Sequence, residues 1–95
     1  MALFVVYCKD KPGALETRMA TRPTHLDYLN SVTALKAAGP LLDDAGSPIG
    51  SLLIFEAEDK AAVQALVDND PYTKAGLFES VAIDGWRVGV GSITG

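Results

Sequence analysis

Two uninterrupted apolar runs, Ala2–Cys8 and Ser51–Ala57, are the strongest features of the hydrophobic pattern. Each is β-branched or aromatic in character, long enough for a strand and too short for a helix, so both read as central strands covered on two faces. The polar loop Lys9-Asp10-Lys11-Pro12-Gly13 follows the first run. From Ala14 to Ala38 the pattern is helical, and Gly39-Pro40 closes it. Pro23 interrupts this stretch. A proline sits comfortably only in a first turn, so the pattern predicts a short helix over 14–20 and a new one starting near Pro23, capped by Thr21 or Arg22. In the second segment His25, Tyr28, Leu29, Val32 and Leu35 share one face at about 100° per residue.

Leu41–Asp44 reads as a short strand and Ala45–Pro48 as a turn. Asp59 caps the next helix, whose buried stripe is Ala62, Val63, Leu66 and Val67. Asn69-Asp70-Pro71 ends that helix, and Pro71–Gly76 makes one more helical turn. Phe78–Val90 is predicted as a long final strand with Trp86, Val88 and Val90 on one face, and Gly91–Gly95 as a loose tail.

The order is strand, helix, strand, strand, helix, strand, two βαβ halves over 2–44 and 49–90. Right-handed crossovers then give an α+β fold, a four-stranded antiparallel sheet with both helices on one face. The other face is left bare and apolar, which points to burial against a second copy, a homodimer or a higher oligomer. The length of 95 residues suits one domain over 1–95.

With 48% hydrophobic and 21% charged residues the composition is globular, and the net charge of −4, with no basic cluster, speaks against a nucleic-acid partner. One cysteine, Cys8, excludes an internal disulfide, and one histidine excludes a multi-His centre, so neither metal nor cofactor is expected. No apolar run approaches the roughly 20 residues of a membrane span and nothing reads as a leader, so a cytoplasmic protein without a membrane partner is expected. The glycine run Gly89–Gly95 lacks the helix and spacing of a nucleotide loop.

Acid–base chemistry on a small molecule remains. His25 lies on an inward stripe, where it is either a core-edge histidine bonded to a carbonyl or a general acid or base. Arg18 and Arg22 precede it by two turns and one. They are either solvated, pairing with Glu16 or Asp27, or they hold an anionic substrate. Asp70, before Pro71, is an ordinary helix cap or the carboxylate that orients His25. Ser51 starts a central strand and can aim a hydroxyl into a cleft. Cys8 reads as inert packing, and Asp43-Asp44 as solvated.

Arg18, then Arg22-Pro23-Thr24-His25-Leu26, resembles the R-x-x-x-R-P-x-H-L segment of the YciI-like (YCII-related) family. Asp70-Pro71-Tyr72 with Ala75-Gly76-Leu77-Phe78-Glu79 resembles its D-P-Y-x-x-A-G-[LV]-[FY]-E segment. Asp10–Gly13, Gly39-Pro40 and Gly50-Ser51 also fit, so the resemblance spans nearly the whole chain. It implies a ferredoxin-like domain that dimerises through its sheets as a dimeric α+β barrel, with a His–Asp pair, here His25 and Asp70, as active site. It further implies acid–base chemistry on small ring compounds, including dehydrohalogenation; broader relatives of this architecture include lactone isomerases. The expected function is thus proton transfer, elimination or isomerisation on a small cyclic, anionic metabolite, with Arg18, Arg22 and Ser51 binding it. A non-catalytic small-molecule binding or regulatory module is the alternative.

Overall fold

The computed structural model describes residues 1–93. Four strands, β1 (Ala2–Asp10), β2 (Leu35–Leu42), β3 (Pro48–Ala57) and β4 (Phe78–Trp86), alternate with helices α1 (Leu15–Asn30), α2 (Lys60–Asp68) and the short α3 (Pro71–Lys74). The sheet order is β2-β3-β1-β4 and every pairing is antiparallel. This is the ferredoxin-like βαββαβ arrangement, with the two apolar runs as its central strands.

Alternation sorts the strand side chains by face. Phe4, Val6 and Cys8 of β1 meet Leu53, Phe55 and Ala57 of β3 and Ile83 of β4, and Leu29, Val63 and Val67 of the helices close the core over them. Tyr28 reinforces this layer by donating its hydroxyl to the Leu66 carbonyl at 2.7 Å. On the opposite face Val5 pairs with Ile54 and Tyr7 with Leu52, while Leu3 lies opposite Trp86. Among the described residues no helix covers that face: Tyr7 is 49% exposed and Trp86 40%.

Several boundaries differ from the sequence pattern, with β1 running on to Asp10 and β3 beginning at Pro48, and three differences have a clear physical cause. First, α1 runs unbroken from Leu15 to Asn30 with Pro23 inside it, so neither Thr21 nor Arg22 caps a second segment and His25 is not in a first turn. Buried side chains on both sides of the proline, Arg18 before it and His25 and Leu29 after it, hold the helix straight through. Second, the helix stops at Asn30, and Leu35–Ala38 pair with β3 as part of β2. Helix propensity in the Ala- and Leu-rich stretch yields there to cross-strand pairing. Gly39 and Pro40 fit because β2 is an edge strand, where a missing N–H costs no ladder bond. Third, β4 ends at Trp86 and not at Val90, because Trp86 already pairs with Leu3 near the start of β1, where only Ala2 and Met1 precede it. Within the expected Gly91–Gly95 tail, residues 94–95 lie outside the described residues. Asp59 caps α2 as expected, accepting from the Ala62 N–H at 2.9 Å.

Two local features shape the site. A register shift between Lys9 and Asp10 bends the end of β1 against β4. Gly50, opposite Lys9, passes so close to β1 that a Cβ there would run into the Cys8 carbonyl oxygen. Cys8 itself is fully buried, and burial, with Asp70 and Asp10 adding to it, pushes its thiol up to about 12. The thiol is therefore favoured over the thiolate in the folded chain. Its contribution to stability is complete below the ordinary value of 9.0 and is lost as pH rises from there toward 12. In urea denaturation, the stability advantage of wild type over Cys8→Ala is expected to shrink above pH 9 by up to about 1.4 kcal/mol per pH unit. A gap that stays constant to pH 11 would contradict this.

Candidate functional site

Position along α1 determines what reaches the cleft. At about 100° per residue, Arg18, Arg22, His25 and Leu29 fall within roughly 60° of one another when the helix is continuous. Arg18, His25 and Leu29 are the buried residues of α1, and Arg22 is exposed. Across from them stand Ser51 of β3 and the β2 segment Ala38–Pro40. The cleft between them, about 340 Å³ and open to solvent on one side, is lined by polar Arg18, Arg22, His25 and Ser51 and by an apolar wall that includes Leu26, Leu53 and Pro48.

Asp70 is buried at 4% exposure and works in two directions. It caps α3 by accepting the Tyr72 backbone N–H on Oδ1 at 2.9 Å, and the same oxygen lies 2.8 Å from His25 Nδ1. The cap and the His25 partner, alternatives in the sequence, are thus the same residue at once. An ionised carboxylate only accepts, so the His25 Nδ1 carries the hydrogen and donates it, leaving the Nε2 lone pair free when the ring is neutral. Nε2 has no hydrogen-bond partner among the described residues, and His25 lines the cavity.

Arg18 is not paired with Glu16 or Asp27. Its Nε and Nη2 donate to Oδ2 and Oδ1 of Asp10, at 2.7 and 3.0 Å, and Nη2 also donates to Ser51 Oγ at 2.8 Å. Burial works against the guanidinium charge, but the hydrogen bond and charge of Asp10, together with Tyr72, outweigh it and hold the Arg18 pKa above its usual value. The Nη1 donors remain outside these bonds. Ser51 Oγ accepts from Arg18, which leaves its own hydrogen to donate toward the cavity.

Two site residues escaped the sequence reading of the chemistry. Asp10 looked like part of a polar loop; only the bend at the end of β1 turns its carboxylate toward Arg18, and no local spacing signals that. Tyr72, which in the sequence stands out only as part of a motif, is 1% exposed and stacks on His25 with ring centroids 3.7 Å apart and an interplanar angle of 13°. Burial pushes its hydroxyl pKa up, against the opposing pull of Arg18 and Arg22. Among the described residues, no group of three or more His, Cys, Asp or Glu side chains is arranged to hold a metal ion, and no helix is long and apolar enough to cross a membrane.

Removing Asp10 strands a buried guanidinium. Asp10→Ala is expected to cost about 3–5 kcal/mol in urea denaturation, and adding Arg18→Met is expected to recover part of that loss. Purely additive losses in the double variant would show that the pair is not coupled.

The chain matches the YCII-related domain over residues 2–87. Protein YciI of Escherichia coli O6:H1 is 39% identical, with 85% of this chain and 92% of that protein covered. An uncharacterized protein of Haemophilus influenzae is 33% identical, covering 84% of this chain and 91% of that one. Among solved structures, 5-chloro-2-hydroxyhydroquinone dehydrochlorinase from Burkholderia phenoliruptrix AC1100, in complex with 2,5-dihydroxybenzoquinone, is 41% identical. It superimposes with a TM-score of 0.84 over 92% of this chain and 95% of that one. An antibiotic biosynthesis monooxygenase, 14% identical with a TM-score of 0.58 over 93% of this chain and 98% of its own, shares the fold alone. Matched along residues 2–87 and by relatives that it nearly spans, the chain belongs to the YCII-related family.

Proposed function

We propose that the chain is a proton-transfer enzyme acting on a small cyclic, anionic compound by elimination or isomerisation. The observation that carries this reading is the 2.8 Å contact between His25 Nδ1 and Asp70 Oδ1, which leaves Nε2 as the unengaged base at a cavity. Nε2 takes a proton from the ring compound, and Asp70 offsets the charge that the imidazole then carries. In an elimination the freed electron pair forms a double bond while the leaving group departs with its own pair. In an isomerisation the proton returns to another atom.

The remaining polar groups hold the ring in place. Ser51 and the Arg18 Nη1 donors bind its oxygens deep in the cavity, with the Arg18 charge already matched by Asp10. Arg22 is exposed at the cavity and holds an anionic oxygen there. The likeness to a dehydrochlorinase with a bound dihydroxybenzoquinone supports a substituted ring as ligand and elimination as the reaction. The exposed sheet face around Tyr7, Leu52 and Trp86 supports a second proposal, that two copies bury it against each other as a homodimer.

Assay of the purified chain with chlorinated hydroxyhydroquinones, catechols and lactones is expected to reveal turnover of at least one. His25→Ala is expected to lower kcat on the order of 100- to 10,000-fold. Saturable binding without turnover would make this a binding module instead. For the dimer, sedimentation at micromolar concentration is expected to give twice the chain mass and Leu52→Asp to shift it toward monomer; a wild-type monomer sinks that proposal.

A further inference from the structure

Tyr72 touches three polar residues of the cleft, each through a different interaction. Its ring lies on His25, nearly parallel, at a centroid separation of 3.7 Å. Its backbone N–H donates to the Asp70 oxygen that faces His25 Nδ1. The Arg18 guanidinium carbon lies over its ring, 4.7 Å from the centroid. Phe78 meets the ring edge-on at 6.1 Å and 87°, which helps lock it in the interior. No step of the proposed proton transfer uses this side chain.

We infer that Tyr72 is a positioning residue whose ring, and not its hydroxyl, fixes the plane of the His25 imidazole so that Nε2 stays directed at the cleft. One hydrogen bond sets a single line, from Nδ1 to Oδ1, and leaves the imidazole free to tilt about it. A flat surface against one ring face removes that tilt. Line and plane together define where Nε2 lies, and both come from the same turn of chain, because the residue that supplies the surface also anchors the carboxylate. The platform also has a preference between protonation states: an aromatic face attracts a cation more than a neutral ring, so it favours the imidazolium formed when Nε2 takes a proton. A phenyl ring presents the same face, so the hydroxyl is dispensable to this role.

The kinetic part of this inference rests on the proton-transfer reading; the spectroscopic part does not. His25 is the sole histidine, so its imidazole signals in NMR of the full chain are unambiguous. Wild type and Tyr72→Phe are expected to show ring-current-shifted His25 C–H protons and 15N shifts of one dominant Nδ1–H tautomer. In Tyr72→Leu, or in the more adaptable Tyr72→Met if the leucine variant does not fold, the shift is expected to vanish and the tautomers to mix. With a substrate found by the panel above, Tyr72→Phe is expected to keep kcat within about threefold. The ring-less variant is expected to lose about 100-fold in kcat with a smaller change in KM, as misplacement of a reacting group predicts. An unchanged single Nδ1–H tautomer pattern in the 15N shifts of the ring-less variant overturns the inference, as does a Tyr72→Phe variant as impaired as Tyr72→Leu. Absence of wild-type turnover overturns the proton-transfer reading alone and leaves the spectra to decide the role of Tyr72.

Discussion

A single carboxylate oxygen, Asp70 Oδ1, receives the Tyr72 N–H and faces the His25 Nδ1, and the arrangement of the helices around the cleft depends on it. A carboxylate this deeply buried is costly unless donors surround it. The start of α3 supplies one donor and the middle of α1 supplies the other. Each bond therefore needs the other's element in place, and a local helix cap becomes a link between residues 45 positions apart. From that anchor α1 extends back about 10 Å, at 1.5 Å per residue, to Arg18 and its second buried pair with Asp10.

These two anchors explain why α1 tolerates Pro23. A proline inside a helix removes one backbone bond and crowds the preceding turn, at a cost of about 3 kcal/mol. Breaking the helix there would instead rotate Arg18 away from the face that carries His25 and uncouple two buried ion pairs. The sequence shows the proline but not the pairs, since Asp10 and Asp70 are 8 and 45 residues from their partners. Local chemistry was legible where its cause is local: the central strands, the Asp59 cap, the Asp70-Pro71 start and the inward side of His25. The early entry into β2 and the early end of β4 were not, because pairing with distant strands decides both. The juxtaposition of His25 and Asp70 came from the family resemblance; spacing alone left it undecided.

The fold itself says little about chemistry. A monooxygenase of 14% identity shares the sheet and helix layout, so whatever distinguishes this chain lies in the side chains of the cleft. There the charges are nearly all paired: Asp10 with Arg18, and Asp70 with His25 whenever the imidazole is protonated. Arg22 forms no ion pair among the described residues. That asymmetry is what recommends an anionic ligand, since a cleft with fully matched charge gives an anion no reason to enter.

The cleft wall from β2 has a separate standing. Ala38 and Pro40 line the cavity from an edge strand that pairs only with β3, and neither joins the hydrogen bonds of His25, Asp70, Arg18 or Ser51. Side-chain size on that strand can change the shape of the cavity while the polar constellation stays where the helices hold it. Along a lineage, ligand shape and reaction chemistry are then under different mutational control. Substitutions on this one peripheral strand can therefore reshape what the cavity accepts while leaving the buried side chains of α1 and α3 in place.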